Sequence, residues 1–342
     1  MRVAVKNQII SSFLMLVLGF LLIVPKAFAT DSKTIFDVLN HSEVLKVNME
    51  LDLNAILENR RDENPYPATL SFVDEQGNPQ DWSLNIRLRG NFRRIHCAEM
   101  PPLKLDFNKK DLEKAGLAPF DDLKLVNYCM GDDRAAKEAL VKEYLTYKLY
   151  NQLTDASYRV QMLKINFKDI NTGETRTQFA FLIEDTSQLK ARIAAQKLDE
   201  FRVIEKERFD PYHLKAATLF QYMIGNKDWG VTFSKNVKYL SKEEKVIPVP
   251  YDFDFATIVG ASYTKAKNDA KSLIDKRIYL GFYEEMESLR PVIDEFVMKR
   301  ESMNEIILNC TFLRTGAKKE MIAYLDLFFE NTDNIKFAVH EI

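Results

Sequence analysis

The sequence has no G-x-G-x-x-G, no P-loop and no C-x-x-C. The glycine loop of the protein kinases, the phosphate cradle of the P-loop proteins and the commonest zinc and redox spacings are therefore absent. Histidine occurs only at His41, His96, His213 and His340, too sparse a set for a zinc centre. An excess of one charge is also lacking. The 48 Lys and Arg stand against 50 Asp and Glu, a formal charge of -2, and so balanced a chain does not advertise nucleic acid as a partner. Past the first thirty residues no apolar run is long enough to cross a bilayer. No internal repeat or low-complexity tract occurs either, which excludes a fibrous or disordered chain.

What remains is a globular composition, with 46% hydrophobic and 29% charged residues in 342. At ~150 residues per domain, that length predicts two lobes. Residues 1–29 begin with Arg2 and Lys6, run apolar from Ile9 to Val24 and end in Ala27-Phe28-Ala29, the three-part pattern of a secretory signal peptide. Cleavage before Thr30 predicts an exported protein, periplasmic or secreted, with no membrane span left. An uncleaved anchor is the alternative. In an oxidising compartment cysteines pair. Of Cys97, Cys129 and Cys310, the first two share one half of the chain and are the expected disulfide, with Cys310 a buried free thiol.

Leu45, Val47, Met49, Leu51 and Leu53 alternate with polar residues, the period of a half-buried strand. Residues 68–73 and 82–88 flank the turn-rich 74–79 and read as a hairpin. Short strands are expected at 103–107 and 123–128, an amphipathic helix at 134–153, and a second hairpin from 158–167 and 175–183. A polar helix at 188–197 follows, then a helix opened by Asp210-Pro211 and ending near Ile224, a brief β-like run at 246–249, and helices at 286–310 and 318–329. Strands first and helices later predict an α+β fold: a sheet-rich lobe at 30–185 with one long helix, and a mainly helical lobe at 186–342.

Chemistry concentrates between 225 and 255. Gly225-Asn226-Lys227-Asp228-Trp229, then Asn236, then Tyr251-Asp252-Phe253-Asp254 put an Asp, an Asn and a second Asp in order. Phosphoryl transfer needs a carboxylate to take the acceptor's proton and hard oxygen ligands for Mg²⁺. Taken singly, each acid reads as a turn cap. Asp252 with Asp254 as a Ca²⁺ site is a weaker reading, because the twelve-residue calcium loop is missing.

With these motifs the chain resembles the kinase-like spore coat protein H (CotH) family over roughly residues 80–260, and more distantly the HipA-like kinases. The Arg87-Leu88-Arg89-Gly90-Asn91 turn and the Pro101-Pro102-Leu103-Lys104-Leu105 strand carry the same likeness. The resemblance implies a two-lobed kinase-like fold that binds ATP with Mg²⁺, or Mn²⁺ in its place, and transfers a phosphoryl group to a hydroxyl, with protein Ser or Thr as one acceptor class. It implies Asp228 as the catalytic carboxylate, and Asn236, Asp252 and Asp254 at the metal. Lys104, Arg89 and Gly90 would meet the phosphates, with Glu143 (or Glu138) as the acid partner of Lys104 and Glu184 in a hinge at 181–185. The gap from Asp228 to Asn236 is wider than the kinase spacing, so residues between them must loop out. Nucleotidyl transfer and glutamylation stay open on the same scaffold, as does a noncatalytic binding or assembly role in the envelope.

Overall fold

The computed structural model describes residues 32–61, 64–90, 94, 97, 100–128, 133–198, 204–260 and 277–337. The leader at 1–29 and Cys129 lie outside them. The elements in chain order are α1 (Ile35–Leu39), β1 (Leu45–Leu51), α2 (Leu53–Glu58), β2 (Tyr66–Val73), β3 (Pro79–Leu88), β4 (Leu103–Phe107), α3 (Lys109–Lys114), β5 (Asp122–Asn127) and α4 (Asp133–Tyr150). They continue with β6 (Val160–Asp169), β7 (Thr175–Ile183), α5 (Thr186–Arg192), β8 (Gln196–Lys197), α6 (Pro211–Ile224), β9 (Val237–Lys242), β10 (Lys245–Pro250), α7 (Met286–Asn309) and α8 (Thr315–Phe329).

The class is α+β, but the first half is a closed barrel rather than an open antiparallel sheet. Its strands run in the order β1-β2-β3-β4-β5-β7-β6, and β6 closes onto β1. Six pairs are antiparallel and the β1–β6 pair is parallel. An odd number of strands forces this, since directions that alternate around a ring of seven must repeat once. Closure also leaves no edge strand exposed. Met49, Leu51, Ile86, Leu103, Leu105, Leu123, Leu125, Ile165 and Phe167 are among the side chains that fill one buried cluster with the other inward positions. Each fully buried Leu, Ile or Phe contributes about 1.5–3 kcal/mol. An exposed strand pair such as Lys168 with Glu50 at 2.8 Å contributes ~0–1 kcal/mol. Interior burial, not surface charge, holds the barrel.

Three local expectations give way to tertiary context. The alternation through Leu53 does not continue the strand, because Asp52 caps α2 by accepting from Ala55 N at 2.9 Å. The polar helix expected at 188–197 stops at Arg192, and Gln196 and Lys197 pair instead with Ser241 and Leu240 of β9. The second half therefore carries a three-stranded sheet, β10-β9-β8, among its helices. The long helix α4 is also not simply amphipathic. Leu140, Val141, Leu145, Leu149 and Tyr150 are buried on several sides, since α4 runs between the barrel wall and the C-terminal helices in one shared apolar cluster. Cys97 is disulfide-bonded and Cys310 is a buried free thiol.

Asp169, at the β6–β7 turn, staples the barrel floor. Its Oδ2 accepts from Leu53 N at 2.9 Å and Asn54 N at 3.2 Å, and its Oδ1 accepts from Asn171 N, Thr172 N and Thr172 Oγ1. Hydrogen-bond donors, the backbone N–H of Thr172 foremost, lower its pKa to about 2 against the opposing effect of burial. The folded pKa lies below the unfolded one, so the stabilisation is complete above the unfolded value near 4 and is lost as pH falls toward 2. Thermal unfolding of Asp169→Asn across pH 2–6 is expected to show a lower melting temperature than the wild type at pH 6 and a shallower decline below pH 4. Parallel curves would remove Asp169 from that role.

Candidate functional site

A cleft with about 820 Å³ of non-atom space, open solvent included, lies between the barrel wall and the second half. Backbone pairing accounts for how its acids meet. In the β9–β10 hairpin Val237 faces Pro250, and Tyr251 N donates to Asn236 O at 3.0 Å, so Asn236 entering β9 and Asp252 leaving β10 stand side by side. Both adopt left-handed backbone, with φ of 53° and 64°, a conformation Asn and Asp tolerate better than most residues. Asp252 N donates to Tyr147 Oη of α4 at 2.8 Å, tying the hairpin end to the helix.

Asp228 arrives by a different route. The helix α6 is opened by Asp210, which accepts from His213 N at 2.9 Å, with Pro211 in its first turn, and Gly225 stops it at φ 66°. A Cβ on Gly225 would lie 2.1 Å from Tyr324 Oη, so only glycine fits there. Asn226 Oδ1 then accepts from Asp228 N at 2.9 Å. The extra residues of the Asp228–Asn236 gap form a closed loop, with Gly230 N to Lys235 O at 3.0 Å and Lys235 N to Gly230 O at 3.1 Å. Phe233, at its tip, is 82% exposed. The loop brings Asn236 Nδ2 to 3.0 Å from Asp228 Oδ2, and Lys235 Nζ onto Asp228 Oδ1.

Seven of the nine site residues named from sequence line this cleft: Asp228, Asn236, Asp252, Asp254, Glu143, Arg89 and Gly90. Lys104 and Glu184 do not. Lys104 pairs with Asp122 at 2.7 Å on the barrel's outer wall. It stands in register with Lys124 of the next strand, and Lys124 is the lysine in the cleft. Sequence reading missed it, although it is the lysine on the strand just before the long helix that bears Glu143. The alternative partner, Glu138, is instead bound by Arg314. Glu184 is fully buried and turned from the cleft, with Arg159 Nε at 2.9 Å and Arg192 at 2.7 Å. Its neighbour Ile183 lines the cleft, because successive strand residues face opposite ways.

The electrostatics of the cleft centre on Lys124. Burial first, then the charges of Arg89 and Lys238, lower its pKa to about 8, with Asp252 and Asp185 offsetting part of the drop. Its Nζ lies 5.3 Å from the Tyr158 ring centroid and 5.2 Å from that of Tyr251, close enough for cation–π attraction. Burial, then the charges of Glu143 and Asp252, keep the Tyr147 phenol protonated well above its ordinary range. Asn236, Asp252 and Asp254 offer hard oxygens in one wall, the donor type Mg²⁺ takes. Among the described residues one trio of acids lies close enough to share a cation, Asp106, Asp121 and Asp122, away from this cleft. There Arg87 holds Asp106, Lys104 holds Asp122 and Lys109 lies 3.6 Å from Asp121.

No family model matches the chain, and no curated protein does. Among solved structures, a complex of the Shewanella oneidensis MR-1 toxin–antitoxin proteins HipA and HipB with operator DNA is similar. The likeness has 12% identity and a TM-score of 0.29, and covers 64% of this chain and 59% of that one. It does not fix a family.

Lys124 is expected to be acylated by an amine-reactive probe with an apparent pKa near 8, well below that of the surface lysines. Arg89→Ala removes a repelling charge and should raise that value; Asp252→Asn removes an attracting one and should lower it. A labelling profile for Lys124 that matches the bulk lysines, read by peptide mass spectrometry across pH 6–11, would refute this.

Proposed function

We propose that the cleft binds ATP with Mg²⁺ and that the protein transfers the γ-phosphoryl group to a hydroxyl, as the CotH-like resemblance implies. The observation that carries this is the meeting of Asp228, Asn236, Asp252 and Asp254 with Lys124 and Glu143 in one cleft. Their order along the chain is the order of the working parts of a kinase: strand lysine, helix acid, linker, catalytic Asp, then metal-binding Asn and Asp. In this reading the sheet-rich lobe is the barrel and the hinge is 181–185, the end of β7 with the two-residue linker after it. The leader pattern at 1–29 supports export.

Lys124 and Arg89 would hold the phosphates, and Gly90, at φ 74° with open space beside its Cα, allows close backbone approach. Asn236 Oδ1, Asp252 and Asp254 would hold the metal, which when bound neutralises charge on the phosphate oxygens. The acceptor's oxygen attacks the γ-phosphorus. The bond to the β–γ bridging oxygen breaks and its electron pair leaves with ADP. The acceptor's proton passes to the Asp228 carboxylate.

A second reading, a nucleotide-binding protein without turnover, is favoured by one contact. Both carboxylate oxygens of Asp228 are engaged, Oδ1 by Lys235 and Oδ2 by Asn236. Each oxygen keeps a second lone pair, so the contact slows rather than forbids proton transfer.

Melting curves and label transfer from γ-labelled ATP test both readings. Mg-ATP at a hundredfold excess over its dissociation constant should stabilise the protein by about 2.7 kcal/mol. Asp252→Ala and Lys124→Met should lose that shift. Asp228→Ala should keep it while transfer falls by roughly 10²–10⁴. A shift without transfer in the wild type selects the noncatalytic reading, and no shift at all removes both.

A further inference from the structure

On the far side of the 184–185 linker lies a second pocket with about 540 Å³ of non-atom space, open solvent included. Its wall takes in Lys148 of α4, Asn151 just past the end of that helix, Arg159 at the foot of β6, Arg192 at the end of α5, and Asp155. Three cations therefore face one acid. The two arginines are already committed. Arg159 holds Asp37 at 3.0 Å and Glu184 at 2.9 Å. Arg192 donates to Asp155 O, Ser157 O and Glu184 Oε1, each at 2.7 Å. Glu184 and Asp37 balance those two charges from outside the wall. Lys148 has no such partner: it is half-buried and forms no hydrogen bond or ion pair among the described residues, and it also borders a neighbouring cavity whose wall includes Glu43 and Glu305. Burial alone depresses its pKa, with no carboxylate working against it.

A half-buried ammonium without a counter-charge is costly unless something outside the chain supplies one. Its three donors point to an acceptor of several oxygens. The pocket has room for a tetrahedral oxyanion. Asp155 is exposed, so its charge is screened by water and only weakens the field of the wall.

We infer that this pocket is a binding site for a small oxyanion of the phosphate class, free or as a phosphomonoester, with Lys148 as its principal ligand. The site adjoins the linker through Glu184. Its backbone N–H donates to Arg159 O at 3.1 Å, and its carboxylate accepts from Arg159 N at 2.8 Å. An anion drawing on Arg159 or Arg192 loosens their hold on Glu184, so occupancy bears on the segment that carries Ile183 into the cleft.

The test is titration of the purified chain with sodium phosphate at pH 7 against sodium chloride of equal ionic strength. Melting temperature and calorimetric heat are read on the wild type, Lys148→Met, Asp155→Asn and Lys124→Met. Phosphate should raise the melting temperature of the wild type and of Lys124→Met, whose change lies in the other cleft. Lys148→Met should melt no lower than the wild type without phosphate, because it loses no partner, and should bind phosphate at least about tenfold more weakly. Asp155→Asn should bind more tightly. A shift retained in Lys148→Met and lost in Lys124→Met would move the anion to the nucleotide cleft and overturn the site. Absence of any phosphate-specific shift in the wild type would overturn it equally, as would a Lys148→Met variant that melts well below the wild type. Phosphoserine in place of phosphate then separates a phosphomonoester from the free ion.

Discussion

The register of the β9–β10 hairpin is the constraint on which the candidate site depends. Pairing Val237 with Pro250 sets residue 236 across from 251, and one backbone hydrogen bond, Tyr251 N to Asn236 O, closes the end and leaves Asp252 next to Asn236. A slip of one residue would reverse the facing of every side chain in the strand, exchanging the apolar clusters that Val237 and Val249 fill on opposite faces and separating the Asn from the Asp. Burial of Val237, Tyr239, Val246 and Val249 therefore fixes a polar geometry. The apolar faces set the register, and the register sets which oxygens meet.

The second support is α4. This helix is buried between two bodies of different construction, a closed barrel and a helical half with its own small sheet, and it reaches three places at once. Glu143 and Tyr147 face the cleft, where Tyr147 Oη holds Asp252 N. Lys142 and Glu138 meet Glu320 and Arg314 of α8. Lys148 turns to the pocket behind the linker. Residues three and four apart share a face and neighbours at other spacings diverge, which is how one helix serves all three.

Buried charge is handled in two opposite ways. Glu184 lies fully buried with two arginines and backbone donors around it, so each of its oxygens has partners. Removing such a partner commonly costs about 3–5 kcal/mol, and this carboxylate locks the linker. Lys124 is half-buried and lies among like charges from Arg89 and Lys238, with Asp252 and Asp185 offsetting part of their effect.

Local pattern was enough for the elements whose signals are local. The β4 strand, the β7 strand and the Asp210-Pro211 start and Gly225 end of α6 follow directly from alternation and caps. The order Asp228, Asn236, Asp252, Asp254 was legible for the same reason: short loops between apolar strands keep polar residues near one strand end. Lys104 and Glu184 show where that reading stops. Lys104 and Lys124 are indistinguishable as strand lysines, and only the barrel's curvature decides which of two adjacent strands meets the helical half. Glu184 and Ile183 differ by one position, and the fold chose which faces the cleft. Barrel closure, the parallel β1–β6 pair and the capture of Gln196 and Lys197 by β9 join residues far apart in sequence, and no local period encodes a partner that distant. The sequence by itself determined the elements and the chemical types at the strand ends, because those depend on neighbours within a few residues. The tertiary structure alone decided which side chains share a cavity, because that depends on which surfaces burial brings together.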